Sequence, residues 1–439
     1  MSVLKRALTA LCTVTALCAA TPAISEDQGP IKVGILHSMT GTMAMSEAPL
    51  KDVILMLIDE QNRKGGLLGR RLEAVVMDPG SSWPRFSLMA EQMITEDKVD
   101  VIFGCWTSGS RKAVLPVVEK YNSLLFYPVQ FEGEESSRNI IYTGASPNQQ
   151  ALPGVDYLYY RRNIKRWVLI GSDYIYPRVT NELLIRHLRQ LGVNEDDIKV
   201  MYMPLGFSEW GPVLRDIQNF TSDGEPAAIV STINGDSNIS FYIECAQRGI
   251  SAADLPIMAF SLDENEIVGV YTKPFVGHLA SMNYFQSVAT RENQEFIKRW
   301  RQYRNDEEAV TSSAIESSYL GFKLWVQAVE SAGSVHTDDI LGVIVGQSVT
   351  NLSGSTSTVL PNHLLSKPLY MGEMTESGQF RLLWSSSGVE DGQAYSPIFS
   401  GREDVDADWR PEINCPRYDK TAQKCLSSSS HPAPEIPLR

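Results

Sequence analysis

The segments Val99-Asp-Val-Ile-Phe-Gly104, Cys105-Trp-Thr-Ser-Gly109, Ser110-Arg-Lys-Ala-Val-Leu-Pro-Val-Val-Glu-Lys-Tyr121 and Leu124-Leu-Phe-Tyr127 decide the fold. The first is a short, mostly apolar run. Its length suits a strand buried on both faces and falls short of a helix. The third has apolar residues at helical spacing, and the fourth is again a short apolar strand. Strand, helix and strand in that order make a βαβ unit, the repeating piece of a parallel sheet covered by helices on both faces.

The same alternation extends outward in both directions. Upstream, Ile31-Lys-Val-Gly-Ile-Leu36 and Leu72-Glu-Ala-Val-Val-Met77 read as strands. Helices are expected over 48–63, where Gly65-Gly66 supplies the stop, and over 85–95. Downstream the pattern restarts. Helices are expected over 147–160, 178–191, 209–220 and 237–248, with strands over 166–171, 199–203, 227–233 and 256–260. After His278 it becomes mostly helical (293–303, 312–331, 337–345), with short strands over 369–374 and 380–384. Residues from about Gly388 are polar, acidic and rich in Pro and Ser, and read as an appended tail. The chain is thus two similar α/β halves.

Composition narrows the function. The chain has 439 residues, 43% hydrophobic and 21% charged, enough for a sizeable core and incompatible with wholesale disorder. Lys plus Arg number 39 against 52 Asp plus Glu, a net charge of -13, which argues against a nucleic-acid partner. That balance fits a protein handling neutral or cationic small molecules. Residues 1–25 carry a basic start (Lys5, Arg6), an apolar run and Ala23-Ile-Ser25, the order of a cleaved export signal with cleavage before Glu26. Cys12 and Cys18 each follow Leu, which favours a free exported protein over a lipoprotein. Cys105, Cys245, Cys415 and Cys425 remain. In an oxidising compartment the last two, ten apart, are expected to form a disulfide, the alternative being two free thiols. Cys105 and Cys245 read as buried free thiols.

Catalytic chemistry is not visible. There is no glycine-rich phosphate loop, no Gly-x-Ser-x-Gly elbow, and the six histidines lack metal-ligand spacing. No enzyme activity, cofactor or metal is expected. In open α/β sheets ligands bind beyond the carboxyl ends of the strands. That selects the loops 38–46, 104–110, 127–130, 172–177, 234–237 and 261–266, several of them rich in Ser, Thr, Tyr, Trp and Asp. Two halves facing each other with such loops describe a cleft.

The stretch from Phe103 to Gly133, with Cys105-Trp-Thr-Ser108 and Leu125-Phe-Tyr-Pro-Val-Gln-Phe131 within it, resembles the periplasmic urea and short-chain-amide binding proteins of ABC transporters. This is the leucine/isoleucine/valine-type branch that also includes the amide-sensing regulator of amidase. Ala145-Ser-Pro-Asn-Gln-Gln150, Gly171-Ser-Asp-Tyr-Ile-Tyr-Pro177, Asn234-Gly-Asp-Ser237 and Gly277-His-Leu-Ala-Ser-Met-Asn-Tyr-Phe-Gln286 extend the likeness over about 31–386. It departs from the common urea-type form in the acidic loop Ser261-Leu-Asp-Glu-Asn-Glu266 and over 351–370.

The resemblance implies a type I periplasmic binding protein, α/β, with two doubly wound parallel-sheet lobes joined by a three-segment hinge. Lobe 1 would be 31–146 plus 285–347, lobe 2 would be 147–284 plus 348–387, and 388–439 the polar tail. It implies a periplasmic receptor that captures urea, formamide or acetamide and delivers it to ABC permease subunits. A cytoplasmic amide-sensing regulator and a branched-chain amino-acid receptor are the alternatives. Trp106 and Tyr127 would supply flat walls with polar tips. Ser108 would donate to the ligand carbonyl, and Tyr174 would close from the second lobe. Asp236 and Glu264 would accept ligand N–H groups. Each has a plainer reading: core for Trp106, a helix cap for Ser108, sheet packing for Tyr127 and Tyr174, a loop acid for Asp236, a solvated face for Glu264.

Overall fold

The computed structural model describes residues 29–399 and two short strand segments, Tyr418–Asp419 and Lys424–Cys425. The leader expected at 1–25, and the side chains of the expected Cys415–Cys425 disulfide, lie outside the described residues. The first lobe alternates β1 (Ile31–Leu36), α1 (Ala44–Arg63), β2 (Leu72–Met77), α2 (Trp83–Thr95), β3 (Val101–Gly104), α3 (Ser108–Lys120), β4 (Leu125–Tyr127) and β5 (Ile140–Tyr142). Its five strands are all parallel in the order β2-β1-β3-β4-β5. Strand order therefore reverses at β1, and the crevice between the loops after β1 and β3 is the switch point at which such sheets bind ligands.

The second lobe repeats this plan with α4 (Ala151–Arg162), β6 (Arg166–Ser172), α5 (Ile175–Gln190), β7 (Ile198–Met203), α6 (Gly211–Phe220), β8 (Ala227–Thr232), α7 (Ser237–Gln247), β9 (Ile257–Ala259) and β10 (Leu279–Met282). Its parallel order β7-β6-β8-β9-β10 reverses at β6. The strands are covered on both faces, as their unbroken apolar runs require. Along β6, Val168 and Ile170 enter one core cluster and Trp167 and Leu169 another; β8 divides Ile229 from Ala228 and Val230 in the same way. Helices α8 (Arg291–Arg304), α9 (Ser313–Ala332) and α10 (Thr337–Ile344) then return to the first lobe, where Phe296, Trp300, Trp325 and Ile340 join its core.

Two hairpin strands, β11 (Ser348–Thr350) and β12 (Thr356–Thr358), stay with that lobe, because Val349, Leu352, Val359 and Leu365 pack in the same cluster. The chain thus crosses back near β13 (Ser366–Lys367), later than the expected boundary at 348. Strands β14 (Tyr370–Met374) and β15 (Phe380–Ser385) extend the second sheet, β14 antiparallel to β10 and β15 antiparallel to β14. Asn283 clips the three crossings together: its Nδ2 donates to the backbone O of Gln149 at 3.1 Å and of Pro368 at 2.8 Å.

Residues 388–399 correct the reading of everything beyond 388 as an appendage. Strand β16 (Glu390–Asp391) pairs with β13, and Gln149 Nε2 donates to the backbone O of Glu390 at 2.6 Å. Ala394 is buried in the first core, its O accepting from Glu134 N at 2.6 Å. Phe399 is buried in a cluster with Tyr174, Tyr176 and Leu183 of the second lobe. The physical reason is local: a polar segment supplies backbone pairing at the hinge while its few apolar residues find pockets.

Candidate ligand-binding site

The loop after β3 begins with a tight turn. A Cβ on Gly104 would stand 2.6 Å from the Leu36 backbone O, and Cys105 adopts a left-handed φ of 68°. Thr107 then caps α3, its Oγ1 accepting from Ser110 N at 3.1 Å. Trp83 donates its indole N–H to the same oxygen at 2.9 Å and lies on Gly109, where a Cβ would meet its ring at 2.4 Å. The turn, cap and small residue together fix the backbone that carries Trp106 and Ser108.

Beneath them lies a buried charge network. Arg111 is 0% exposed and donates to Glu132 Oε1 at 2.9 Å and to Glu135 Oε1 at 2.8 Å. Lys112 reaches Glu135 Oε2 at 2.6 Å, and the Tyr142 hydroxyl donates to Glu135 at 2.8 Å. The guanidinium lies over the rings of Tyr127 and Phe131, 4.9 and 5.0 Å from their centroids. Burial would raise the Glu135 carboxyl, but the Arg111 and Lys112 charges outweigh it and hold it well below the usual range.

This network changes the expected role of Ser108. Its Oγ accepts from Arg111 Nη1 at 2.9 Å and stands 2.5 Å from Glu132 Oε2. Arg cannot accept and carboxylate cannot donate, so the serine proton is committed to Glu132. Toward a ligand Ser108 can offer a lone pair, and the expected donation to a carbonyl does not fit. Tyr127 is engaged as well: its hydroxyl donates to the Trp106 backbone O at 2.6 Å, and burial raises its ionisation well above the ordinary value. Trp106, 5% exposed, keeps a buried indole N–H with no partner.

The second lobe closes onto these groups. Tyr174, 5% exposed at the start of α5, lies 5.9 Å from the Trp83 ring and 6.3 Å from that of Tyr176. Gln130 Nε2 donates to Ser261 Oγ at 2.7 Å, and Asn265 Nδ2 to the Met45 backbone O at 3.0 Å, both between lobes. Trp106, Ser108, Tyr127 and Tyr174 are thus gathered at one closed cleft. Glu264 is buried in the loop after β9, its Oε1 accepting from Gln286 N at 2.8 Å; it is not on a solvated face. Asp236 is not brought in: it is exposed ahead of α7, where partial burial raises its carboxyl.

Tyr176, Gln130 and Ser261 fall in loops that the sequence selects but are not among the residues named from it, and Trp83 falls in none of those loops. Tyr176 is buried beside Ser261 and Gln130. The spacing of Tyr174 and Tyr176 in the quoted Asp-Tyr-Ile-Tyr motif was the available signal. Trp83 opens α2, and no local pattern ties it to α3 or α5.

Two doubly wound lobes, a clipped multi-strand hinge and polar and aromatic side chains converging between them define a two-lobed small-molecule binding protein of the type I periplasmic class. Residues 31–400 match the family model described as a periplasmic binding protein domain, and the chain belongs to that family. Its structure is similar to a solute-binding protein of an ABC transporter from Rhodopseudomonas palustris HaA2 in complex with p-hydroxybenzoic acid (TM-score 0.74, 19% identity, 82% of this chain and 98% of that one). It is also similar to the branched-chain amino acid transporter substrate-binding protein LivJ from Streptococcus pneumoniae in complex with isoleucine (TM-score 0.69, 17% identity, 82% and 99%). Among curated proteins it is 24% identical over 168 residues to the Leu/Ile/Val-binding protein BraC3 of Rhizobium johnstonii (38% of this chain, 46% of that protein). It is 30% identical over 115 residues to a protein named limonene hydroxylase from Geobacillus stearothermophilus (26% and 21%). The chain therefore spans less than half the length of these curated relatives. No helix among the described residues is long and apolar enough to cross a membrane.

Proposed function

We propose that the protein is the extracytoplasmic receptor of an ABC transporter, capturing urea or a short-chain aliphatic amide between its lobes and handing it to a permease. Among the described residues every buried cation is already paired, and this observation carries the ligand reading. Arg111 and Lys112 are held by Glu132 and Glu135, and Lys367 by Glu316 at 3.1 Å. No buried cation among the described residues is left for a ligand carboxylate. A small planar amide needs flat walls and a few donors and acceptors. Trp106, Tyr174 and Tyr176 supply walls, the Trp106 indole a free donor, and Ser108 an acceptor.

The likeness to BraC3 favours a second reading, a branched-chain amino-acid receptor. Against it stand the bulk of Trp106 and the lack, among the described residues, of an unpaired buried cation for a ligand carboxylate. A cytoplasmic amide sensor would conflict with the export-type start of the sequence. A thermal-shift screen with urea, formamide, acetamide, leucine and benzoate separates the readings. An amide is expected to raise the melting temperature by mass action; a response to leucine or benzoate alone would reject the proposal.

A further inference from the structure

The loop 261–266 is where the second lobe reaches furthest into the first. Besides the Ser261 and Asn265 contacts, Asp263 Oδ2 accepts from Ser313 N at 3.1 Å at the start of α9, and Glu266 approaches Ser46 in α1. Asp263, Glu264 and Glu266 are 4%, 1% and 2% exposed. The buried cations among the described residues, Arg111, Lys112 and Lys367, lie elsewhere, each on another carboxylate. Three acids are thus enclosed between lobes without a buried cation beside them, and burial keeps them from ionising until something supplies a countercharge.

A separate observation points to what that is. Asn238 is 1% exposed, and its Nδ2 donates to the backbone O of Ile233 at 3.0 Å and of Ser261 at 3.1 Å. That fixes the amide and leaves Oδ1 buried without a donor. Glu264 Oε2 is likewise buried without a partner. Asn238 Oδ1 is an acceptor, and Glu264 Oε2 becomes one once its carboxyl ionises. A metal ion does not fit, because no group of His, Cys, Asp or Glu among the described residues is placed to hold one. A ligand with N–H on every nitrogen, a positive charge and two flat faces does fit.

We propose that the cleft takes a planar organic cation of the guanidinium or amidinium class as well as neutral amides, with Glu264, Glu266 and Asn238 accepting its N–H groups and the aromatic walls receiving its faces. The inference rests on the cleft being the ligand site. The charge is the discriminating feature: a neutral amide gains one hydrogen bond from a carboxylate, whereas a cation gains the bond and the countercharge. Burial and the neighbouring Asp263 hold the Glu264 carboxyl well above its ordinary range. Cation entry therefore ionises it and releases a proton. The titratable groups on the elements packed around the loop are Asp263 and Glu266 themselves, Tyr284 on the hinge, Glu316 with Lys367, and Glu47 with His37 next to Ser46.

Calorimetry on the full chain with guanidinium chloride, acetamidine hydrochloride, urea and acetamide, far below denaturing concentrations, tests this. Guanidinium is expected to saturate one site, with a heat that changes with the ionisation enthalpy of the buffer; urea is expected to release no proton. Glu264→Gln is expected to lower the ratio of guanidinium to urea affinity by on the order of tenfold or more. Glu266→Gln serves if the first variant does not fold. Amide binding with no guanidinium binding, or an unchanged affinity ratio in a folded variant, would overturn the inference and leave the amide receptor standing. Failure of every ligand would instead remove the reading on which it rests.

Discussion

Trp106 sits where β3 hands over to α3, and its indole is the wall that the ligand reading depends on. Trp106→Ala is expected to leave one face of a planar ligand open to water. At about 25 cal/mol per Å² of apolar area, losing part of that face costs on the order of 1–2 kcal/mol, roughly tenfold or more in Kd by calorimetry. An unchanged Kd would place the ligand elsewhere. Arg111 tests the floor beneath. Arg111→Met leaves Glu132 buried without its cation, while Glu135 keeps Lys112, and removing one partner of a buried pair typically costs about 3–5 kcal/mol. Denaturant unfolding should show that loss, and a variant as stable as the parent would mean the network is dispensable. His278 offers a test in pH. Burial lowers its pKa to about 4, and its Nδ1 accepts from Ile257 N at 3.1 Å. The unfolded chain takes up the proton near the ordinary value of about 6.5, the folded chain only near 4. The stability this group contributes is therefore complete above about pH 6.5 and is lost as pH falls toward 4, up to roughly 3 kcal/mol. His278→Asn should flatten that part of a stability–pH profile; an unaltered slope would contradict the assignment.

Among the elements, the long apolar runs were legible because burial on both faces writes itself as continuous hydrophobicity, as in β3 and β8. Strand β5 was not, since Ile140–Tyr142 has only three residues, too few to show a period. The hinge was legible only through family likeness, because Asn283 acts through backbone oxygens of Gln149 and Pro368 that are far away in sequence. Trp106, Ser108, Tyr127 and Tyr174 could be named from the quoted motifs, but not the Arg111 network that redirects the Ser108 proton. The tail misled for a related reason: polar composition hides backbone pairing. The segment from Gly388 pairs with β13 and buries Ala394 and Phe399. Truncation at Gly388 is thus expected to destabilise the chain by about 2 kcal/mol or more, from the loss of one buried aromatic side chain and a strand pair. A melting temperature equal to that of the full chain would show that the segment is an appendage after all.

On the scale of the whole molecule, the lobes meet through Trp83 and Tyr174, Gln130 and Ser261, and Met45 and Asn265, so the two lobes are closed on each other. Closure by hinge motion is what a ligand would stabilise and what a permease would read. The central claim concerns the ligand, a small neutral amide held where every buried cation among the described residues already has a carboxylate. Its most direct test is calorimetric titration of the full chain with urea, formamide and acetamide, with leucine and benzoate alongside. The account predicts saturable binding of at least one amide and no binding of leucine or benzoate; tight leucine binding with no response to any amide would contradict it.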